Sequence, residues 1–131
     1  MTSLADRMLT RLRKLVRALP GTSETITFGH PTFQAGKKTF AVLEPYRGED
    51  TLCFKATLED QALLILDPRY FVAPYVGKHG WTSLRLSGGV EDAELAEIVG
   101  SSYRLAATKR LLAELDGATE PAPRSRRTKK K

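Results

Sequence analysis

Several features that carry chemistry in other proteins are scarce or missing in this chain of 131 residues. It has a single cysteine, Cys53, so an internal disulfide is excluded and a reducing compartment is expected. Cys53 lies in the apolar run Thr51-Leu52-Cys53-Phe54, which favours a buried, inert thiol over a nucleophile. A Cys–His hydrolase would need a supporting motif, and none is found.

The two histidines, His30 and His79, do not suggest a metal site. Neither has metal-ligand spacing to another soft ligand, so we expect no zinc, no iron and no other cofactor. His30 lies in a turn sequence, Gly29-His30-Pro31, where a structural hydrogen bond is a better interpretation than a ligand contact.

Phosphate-binding loops are excluded by their spacing. Gly36-Lys37 and Gly77-Lys78 each match the end of the pattern G-x-x-x-x-G-K, but the first glycine is replaced by Pro31 and Val72. No other catalytic motif stands out, so we expect a protein that is not an enzyme.

Long apolar runs are also missing. The longest aliphatic run, Ala62–Leu66, is far too short to span a bilayer. Residues 1–20 carry several cations and no uninterrupted apolar stretch, which does not fit a signal peptide. We therefore expect a soluble, cytoplasmic protein without a membrane partner.

The net charge of +6 comes from one segment. The last eight residues hold six of the 21 basic residues, which leaves 15 basic and 15 acidic residues elsewhere. Residues 1–123 are therefore neutral overall. We expect residues 1–117 to form one domain and residues 118–131 to form a disordered basic tail. The tail suits an electrostatic arm for DNA or RNA, or a solubilising segment without a partner. Its cations are Arg124, Arg126, Arg127, Lys129, Lys130 and Lys131.

Residue periodicity in the first half predicts one helix followed by strands. Ser3 and Asp6 fit a capping box for an amphipathic helix that ends at Pro20-Gly21. Alternating side chains predict strands, and Gly36 predicts a hairpin turn between the second and third. The predicted strands are 24–28, 32–34, 39–43 and 51–55, with a polar loop at 45–50.

The second half predicts a short helix from Leu58 to Leu66 with Thr57 as its N-cap. An extended piece at 70–72, a last strand at 81–86 and a helix from Glu91 follow. Gly100-Ser101 is expected to interrupt that helix before a final one, from Tyr103 to Leu115, which Asp116-Gly117 ends. Strands that follow one another favour an α+β fold, an antiparallel sheet of about five strands packed by the N-terminal and C-terminal helices.

The segment Pro74–Trp81 combines aromatics, cations and glycines. We expect Trp81 and Tyr75 to anchor the fold, with Lys78 and His79 exposed between glycines. In one alternative the aromatic rings stack on exposed bases while a lysine neutralises a phosphate. In another, a cleft around Tyr75 and Trp81 binds a protein or a small ligand, which a neutral body favours.

Several motifs, taken in their order and spacing, resemble the MmcQ/YjbR family. They are Leu19-Pro20, Thr25–Phe33, Gly36–Ala41, Ala73–Trp81 and Ser102–Leu105, within a match that runs from about Leu4 to Leu115. The resemblance implies a frataxin/CyaY-like α+β fold and the family's usual description as DNA-binding proteins, with no catalytic residues. The iron binding of better-known members of that fold should not be carried over, because Asp6 is the single carboxylate of a basic first helix.

We therefore expect a monomeric, non-enzymatic DNA-binding protein. Its glycine-containing turns and the Lys78-His79 loop would contact the nucleic-acid backbone, and the basic tail would strengthen binding. The predicted nucleic-acid-binding residues of the domain are Lys37, Lys38, Arg47, Lys78, His79 and Arg85, to which the six cations of the tail are added.

Overall fold

The structure is a computed structural model that describes residues 3–119. The predicted tail cations, Arg124 to Lys131, lie outside the described residues. The elements in chain order are α1 (Leu4–Val16), β1 (Thr22–Thr27), β2 (His30–Ala35), β3 (Lys38–Tyr46), β4 (Glu49–Phe54), α2 (Leu58–Leu64), β5 (Tyr70–Val72), β6 (Thr82–Arg85), α3 (Asp92–Ala106) and α4 (Lys109–Thr119). The strands form one antiparallel sheet in the order β1-β2-β3-β4-β6-β5. The predicted α+β class is confirmed, with six strands instead of about five.

The N-terminal helix begins as its sequence predicts. The Asp6 N–H donates to the Ser3 hydroxyl at 3.0 Å, and the Asp6 carboxylate accepts from the Ser3 N–H at 3.5 Å, which completes the capping box. α1 ends at Val16, earlier than predicted. The Thr22 hydroxyl then donates to the carbonyls of Val16 and Leu19, at 3.1 Å each, and ties the helix end to the start of β1.

Two hairpins are tighter than predicted. The polar loop expected at residues 45–50 is wrong, because β3 and β4 continue through it to the two-residue turn Arg47-Gly48. Both turn residues have positive φ, 51° and 81°, as a type I′ turn requires. The turn Phe28-Gly29 is of the same kind, so His30 and Pro31 belong to β2 and not to a break between strands.

The hydrophobic core lies between the sheet and the helices α1 and α3. Leu12 of α1 and Leu95 of α3 are fully buried against Leu52 and Leu84 in the centre of the sheet. The break predicted at Gly100-Ser101 is wrong, since α3 is continuous from Asp92 to Ala106. A helical glycine costs about 1 kcal/mol relative to alanine. That cost is small beside the burial of the apolar residues on either side of it.

The last helix is separated from α3 at Ala107-Thr108. The Thr108 hydroxyl accepts a hydrogen bond from the Leu111 N–H at 3.2 Å, as an N-cap does. α4 continues through Gly117 to Thr119, past its predicted end. Its buried residue Leu111 packs against the start of β1 and the β2–β3 turn.

Tyr103 connects α3 to the sheet and to the α1–β1 connection. Its ring is fully buried and meets the ring of Phe40 edge-on, with centroids 5.9 Å apart. Its hydroxyl donates to the Pro20 carbonyl. Burial raises the pKa of the Tyr103 phenol, so the donor stays protonated in the physiological range.

Tyr103→Phe is expected to lower the free energy of unfolding by about 1–2 kcal/mol, because it removes a donor and leaves the Pro20 carbonyl without that partner. Urea denaturation measures the change. The control is Tyr46→Phe, since the Tyr46 ring stacks on Phe71 while its hydroxyl forms no hydrogen bond within residues 3–119. Equal effects of the two substitutions would contradict this role of the hydroxyl.

Candidate nucleic-acid interface

Basic side chains from three separate segments lie at one end of the sheet. Because neighbouring strands are antiparallel, the β2–β3 turn, the end of β4 and the β5–β6 connection lie at the same end. We call this the lysine end and define it by Lys37, Lys38, Lys55, Lys78 and His79. Four of these five residues were predicted as binding residues. Lys55 was missed, because its place at the end of β4 gives no signal in the sequence alone.

The β2–β3 turn presents two lysines to solvent. Gly36 has φ +60°, in the left-handed region that favours glycine, and Lys38 pairs with Ala35 to close the hairpin. The predicted hairpin turn is confirmed. Lys37 and Lys38 are exposed. The turn is also fixed on its outer side, where the Gly36 N–H donates to the Gly21 carbonyl at 2.9 Å.

The first turn of α4 borders the lysine end. Leu111 packs against Gly21 and Gly36, which brings the start of the helix next to the β2–β3 turn. Lys109 and Arg110, both exposed, lie in this first turn directly before Leu111. Neither residue was singled out from the sequence, and the tertiary contact of Leu111 is needed to place this turn here.

The β5–β6 connection holds Lys78 and His79 in an exposed 3₁₀ turn, Gly77–His79. The buried side chain of Gln61 in α2 supports this turn from below. Its Nε2 donates to the carbonyls of Gly77 and Trp81, at 2.9 Å each. Lys78 and His79 are therefore carried by a segment with fixed backbone, and their predicted exposure is confirmed.

Gly80 follows this turn and is required by a close backbone approach. Its φ is +98°, and a Cβ atom built on it would lie 1.9 Å from the carbonyl oxygen of Ala56. The Ala56 N–H donates to the Gly80 carbonyl at 3.1 Å, so the two segments are joined at this contact. Gly80 therefore permits the close contact between the β5–β6 connection and the residues that follow β4.

Trp81 lies half-buried beside the lysines. The Lys55 Nζ is 5.8 Å from the centroid of its ring, within cation–π range. A recess of about 430 Å³ is lined by Lys38, Thr39, Lys55, Trp81, Leu105 and Ala106. The Trp81 ring is therefore partly packed in the fold and partly open to solvent. This half-burial is compatible with a ring that anchors the fold and with a ring that stacks on a base.

Tyr75 does not have the predicted role. It is 97% exposed, with φ +68°, so the expectation that it anchors the fold is wrong. Gln61 and the glycines hold the connection in place of aromatic packing. Tyr75 also does not line the recess beside Trp81, so the two rings do not share that cleft.

The side chains of the lysine end take part in no ion pair among the described residues. Each ion pair within residues 3–119 uses an arginine: Arg11, Arg13, Arg69, Arg85 or Arg104. The positive charge of the lysine end is therefore available to an external anion.

Arg47 and Arg85 lie at the opposite end of the sheet. Arg85 contacts Glu49, with Nε and Oε2 3.3 Å apart, and its guanidinium carbon is 4.5 Å from the Phe71 ring centroid. The guanidinium carbon of Arg47 is 5.2 Å from the Tyr46 ring centroid. Both were predicted to join the binding lysines, but the strand connections separate them from Lys37 and Lys78 by the length of the sheet.

The remaining candidates show no sign of metal or nucleophile chemistry. Cys53 is buried as predicted, and burial raises the pKa of its thiol to about 12, against a lowering hydrogen bond with Ser83. His30 is half-buried at the start of β2, away from the lysine end. Within residues 3–119, no group of three or more metal-ligating side chains is found, and no helix has the length and apolarity to cross a membrane.

An antiparallel sheet with helices packed on one face places the chain among small α+β domains. More particularly, the chain belongs to the YjbR family, whose model matches residues 17–105. A crystal structure of a Deinococcus radiodurans protein with a DUF419 domain is similar, with a TM-score of 0.67 and 23% identity over 82% of this chain and 87% of that chain. A crystal structure of a Pseudomonas syringae protein gives 0.62 and 17% identity, over 75% of this chain and 97% of that one. These two likenesses show the fold alone. No curated protein matches the sequence.

Gly80→Ala is expected to lower the free energy of unfolding by about 2 kcal/mol or more, because a left-handed backbone and a contact with the Ala56 carbonyl both oppose a Cβ atom. The matched control is Gly100→Ala in α3, where an added Cβ meets no atom within 4 Å. There the helix propensity of alanine should raise stability by about 0.5–1 kcal/mol. Urea denaturation of both variants measures the difference, and a tolerated Gly80→Ala would contradict the close approach.

Proposed function

We propose that the chain is a non-enzymatic DNA-binding module that contacts the phosphate backbone through its lysine end. One observation carries this proposal. Segments far apart in the sequence bring four lysines and a histidine to one end of a rigid sheet, where no described carboxylate pairs with them. Unpaired lysines bind phosphate at low desolvation cost and release the counterions of DNA.

The spacing of these lysines suits a polyanion. Lys38 begins β3, Lys55 directly follows β4, and Lys78 lies in the connection that leads into β6. The strands β3, β4 and β6 are neighbours in the sheet. Neighbouring strands are about 4.8 Å apart, so the row spans on the order of 10 Å. Phosphates of one strand of B-DNA rise about 3.4 Å per nucleotide along the helix axis. The row can therefore contact more than one phosphate of the same backbone.

The neutral total charge of residues 1–123 does not oppose this function, because charge is distributed unevenly. The β2–β3 turn and the Ala73–Trp81 segment contain no acidic residue. The opposite end holds Glu44, Glu49 and Asp50, close to the β3–β4 turn. A local positive field at the lysine end is sufficient to attract a polyanion. Glu59 and Asp60, in the first turn of α2, limit that field on one side.

The half-buried Trp81 ring adds a surface for an unpaired base. A base that enters the recess beside Trp81 would stack in reach of Lys38 and Lys55. We therefore propose a preference for single-stranded over duplex DNA. The frataxin/CyaY-like arrangement implied by the family resemblance belongs to the same proposal, and its support is the packing of α1 and α3 on one face of the antiparallel sheet.

Lys78→Ala is expected to weaken DNA binding several-fold at low salt and to reduce the slope of log K against log salt by about 0.7–0.9, the value for one lost phosphate contact. Fluorescence anisotropy with labelled single-stranded and duplex DNA at several salt concentrations measures both quantities. The matched control is Arg47→Ala, which removes one exposed cation from the turn at the opposite end of the sheet. Like Lys78, Arg47 forms no ion pair within the described residues. This control should change neither affinity nor slope beyond the effect of total charge.

A further variant of the full chain separates the domain from the tail. It replaces the six cations from Arg124 to Lys131 by glutamine. Retained binding that still depends on Lys78 supports the lysine end as the site. If this variant no longer binds at low salt, or if Lys78→Ala and Arg47→Ala behave alike, the lysine end is not the site.

A further inference from the structure

The outer strand β1 is an edge of the sheet on which no other strand within residues 3–119 pairs. Five of its six residues are exposed, whereas the other outer strand, β5, is three residues long. Natural edges are usually protected by lysine, proline, bulges or a covering element. β1 contains neither lysine nor proline, and its single charged residue, Glu24, is bound at 2.8 Å by Arg13 of the same chain.

The backbone of β1 has hydrogen-bonding groups on its outer side that bond to no other described backbone group. In antiparallel pairs, alternate residues bond to the neighbouring strand. Gly21 accepts from the Gly36 N–H, and Ile26 pairs with Pro31, which has no N–H to donate. Gly21, Ser23, Thr25 and Thr27 are therefore the residues bonded to β2. Thr22, Glu24 and Ile26 direct their N–H and C=O groups to the free edge.

The turn at the end of β1 exposes an aromatic residue, Phe28, whose backbone conformation is unfavourable. Phe28 is 95% exposed with φ +52°, in a turn position that favours asparagine or glycine. Such a conformation costs a bulky residue on the order of 1 kcal/mol. Ile26, two residues earlier, is 65% exposed. Where a sequence breaks a local preference and exposes apolar surface, the compensation is usually a binding partner.

A recess of about 280 Å³ lies between α1 and the other end of β1. Its lining combines apolar groups with the side chains of two arginines, and consists of Arg13, Val16, Arg17, Thr22, Ser23, Glu24 and Phe33. Arginine guanidinium groups beside an apolar floor suit an aromatic ring, through burial and cation–π contact. Phe28 and this recess are thus complementary features at opposite ends of one strand.

We propose that two copies of this chain pair through antiparallel β1 strands, around a two-fold axis at Thr25. Full overlap of the strands from residue 22 to residue 28 places Thr25 opposite its own copy and Glu24 opposite Ile26. It also places Phe28 opposite Thr22, at the recess of the other copy. The two sheets then continue as one, and each Phe28 ring fills the recess of its partner.

We assign the free edge to a second copy and not to a foreign strand because the Phe28 ring and the recess beside Thr22 both belong to β1 or its turn. The two-fold axis at Thr25 brings each Phe28 opposite Thr22 of the other copy. An isologous contact needs each patch to complement itself after a two-fold rotation. This register meets that condition for backbone groups, for Phe28 and for charge, since neither Glu24 faces the other directly. It replaces the expectation of a monomer, and it uses none of the five residues that define the lysine end.

Sedimentation equilibrium of the full chain tests the pairing. The unaltered chain should show a reversible monomer–dimer equilibrium, and Phe28→Asn should shift it to monomer by at least tenfold in Kd. Asparagine suits the type I′ turn, so the folded monomer should keep or gain thermal stability. The matched control Arg47→Asn changes the equivalent turn of the β3–β4 hairpin and should leave the equilibrium unchanged. A chain that stays monomeric at all accessible concentrations overturns the proposal, as does a dimer that Phe28→Asn leaves intact.

A cysteine at the axis tests the register. Opposite residues in a non-hydrogen-bonded antiparallel pair have Cα atoms about 4.5 Å apart, within disulfide range. Thr25→Cys should therefore form a covalent dimer on mild oxidation, visible in non-reducing electrophoresis. Ser23→Cys should not, because this register places it opposite Thr27. The buried Cys53 should not react. Equal cross-linking of the two variants, or none at Thr25→Cys, would overturn the register.

Discussion

The contact of Tyr103 with Phe40 and with the Pro20 carbonyl is the interaction on which the rest of the fold depends. Phe40 is the extra residue at the irregular step between β2 and β3, where Phe33 pairs with Ala41 and Gln34 with Thr39. This step lets both Phe40 and Ala41 face the core. Tyr103 then fixes α3 above the sheet. Its neighbour Ser102 donates from its hydroxyl to the Lys55 carbonyl at 2.6 Å, so the same helical turn also holds the end of β4.

The basic side chains at the sheet end are supported by fixed backbone on all three segments. Gln61 holds the carbonyls of Gly77 and Trp81, Ser102 holds that of Lys55, and Gly21 holds the β2–β3 turn. Lysine side chains keep their own freedom on such a support, which suits sequence-independent contact with a flexible polyanion. Five of the arginines serve the fold instead, in ion pairs such as that of Arg69 with Asp67 and Glu94. This division between lysine and arginine follows from the planar guanidinium group, which binds carboxylates in fixed geometry.

Local signals in the sequence predicted those parts of the fold that local interactions determine. The capping box at Ser3, the N-cap at Thr57 and the glycine turn at Gly36 are examples, since each needs contacts within a few residues. The misplaced break at Gly100 has the opposite origin, because packing against the sheet outweighs the weak helix propensity of glycine.

The candidate site was predicted in part for the same reason. Lys78 and His79 stand between Gly77 and Gly80, and closely spaced glycines can be recognised in the sequence as a turn. The order and direction of the strands place Lys55 beside these residues and place Arg85 at the opposite end of the sheet. No local sequence pattern encodes that arrangement. Tyr75 was misplaced because an aromatic residue between Pro74 and Val76 in a loop gives no indication of whether its ring faces the core or solvent.

Titration of the isotope-labelled chain with a short single-stranded DNA, followed by amide NMR shifts, tests whether the lysine end binds DNA. We expect the shifts to concentrate at Gly36–Lys38, at Lys55 and at Gly77–Trp81, three segments joined only by the fold. The turns Phe28-Gly29 and Arg47-Gly48, at the other end of the sheet, should stay unchanged. Shifts restricted to residues beyond 119, or spread equally over both ends of the sheet, would contradict it.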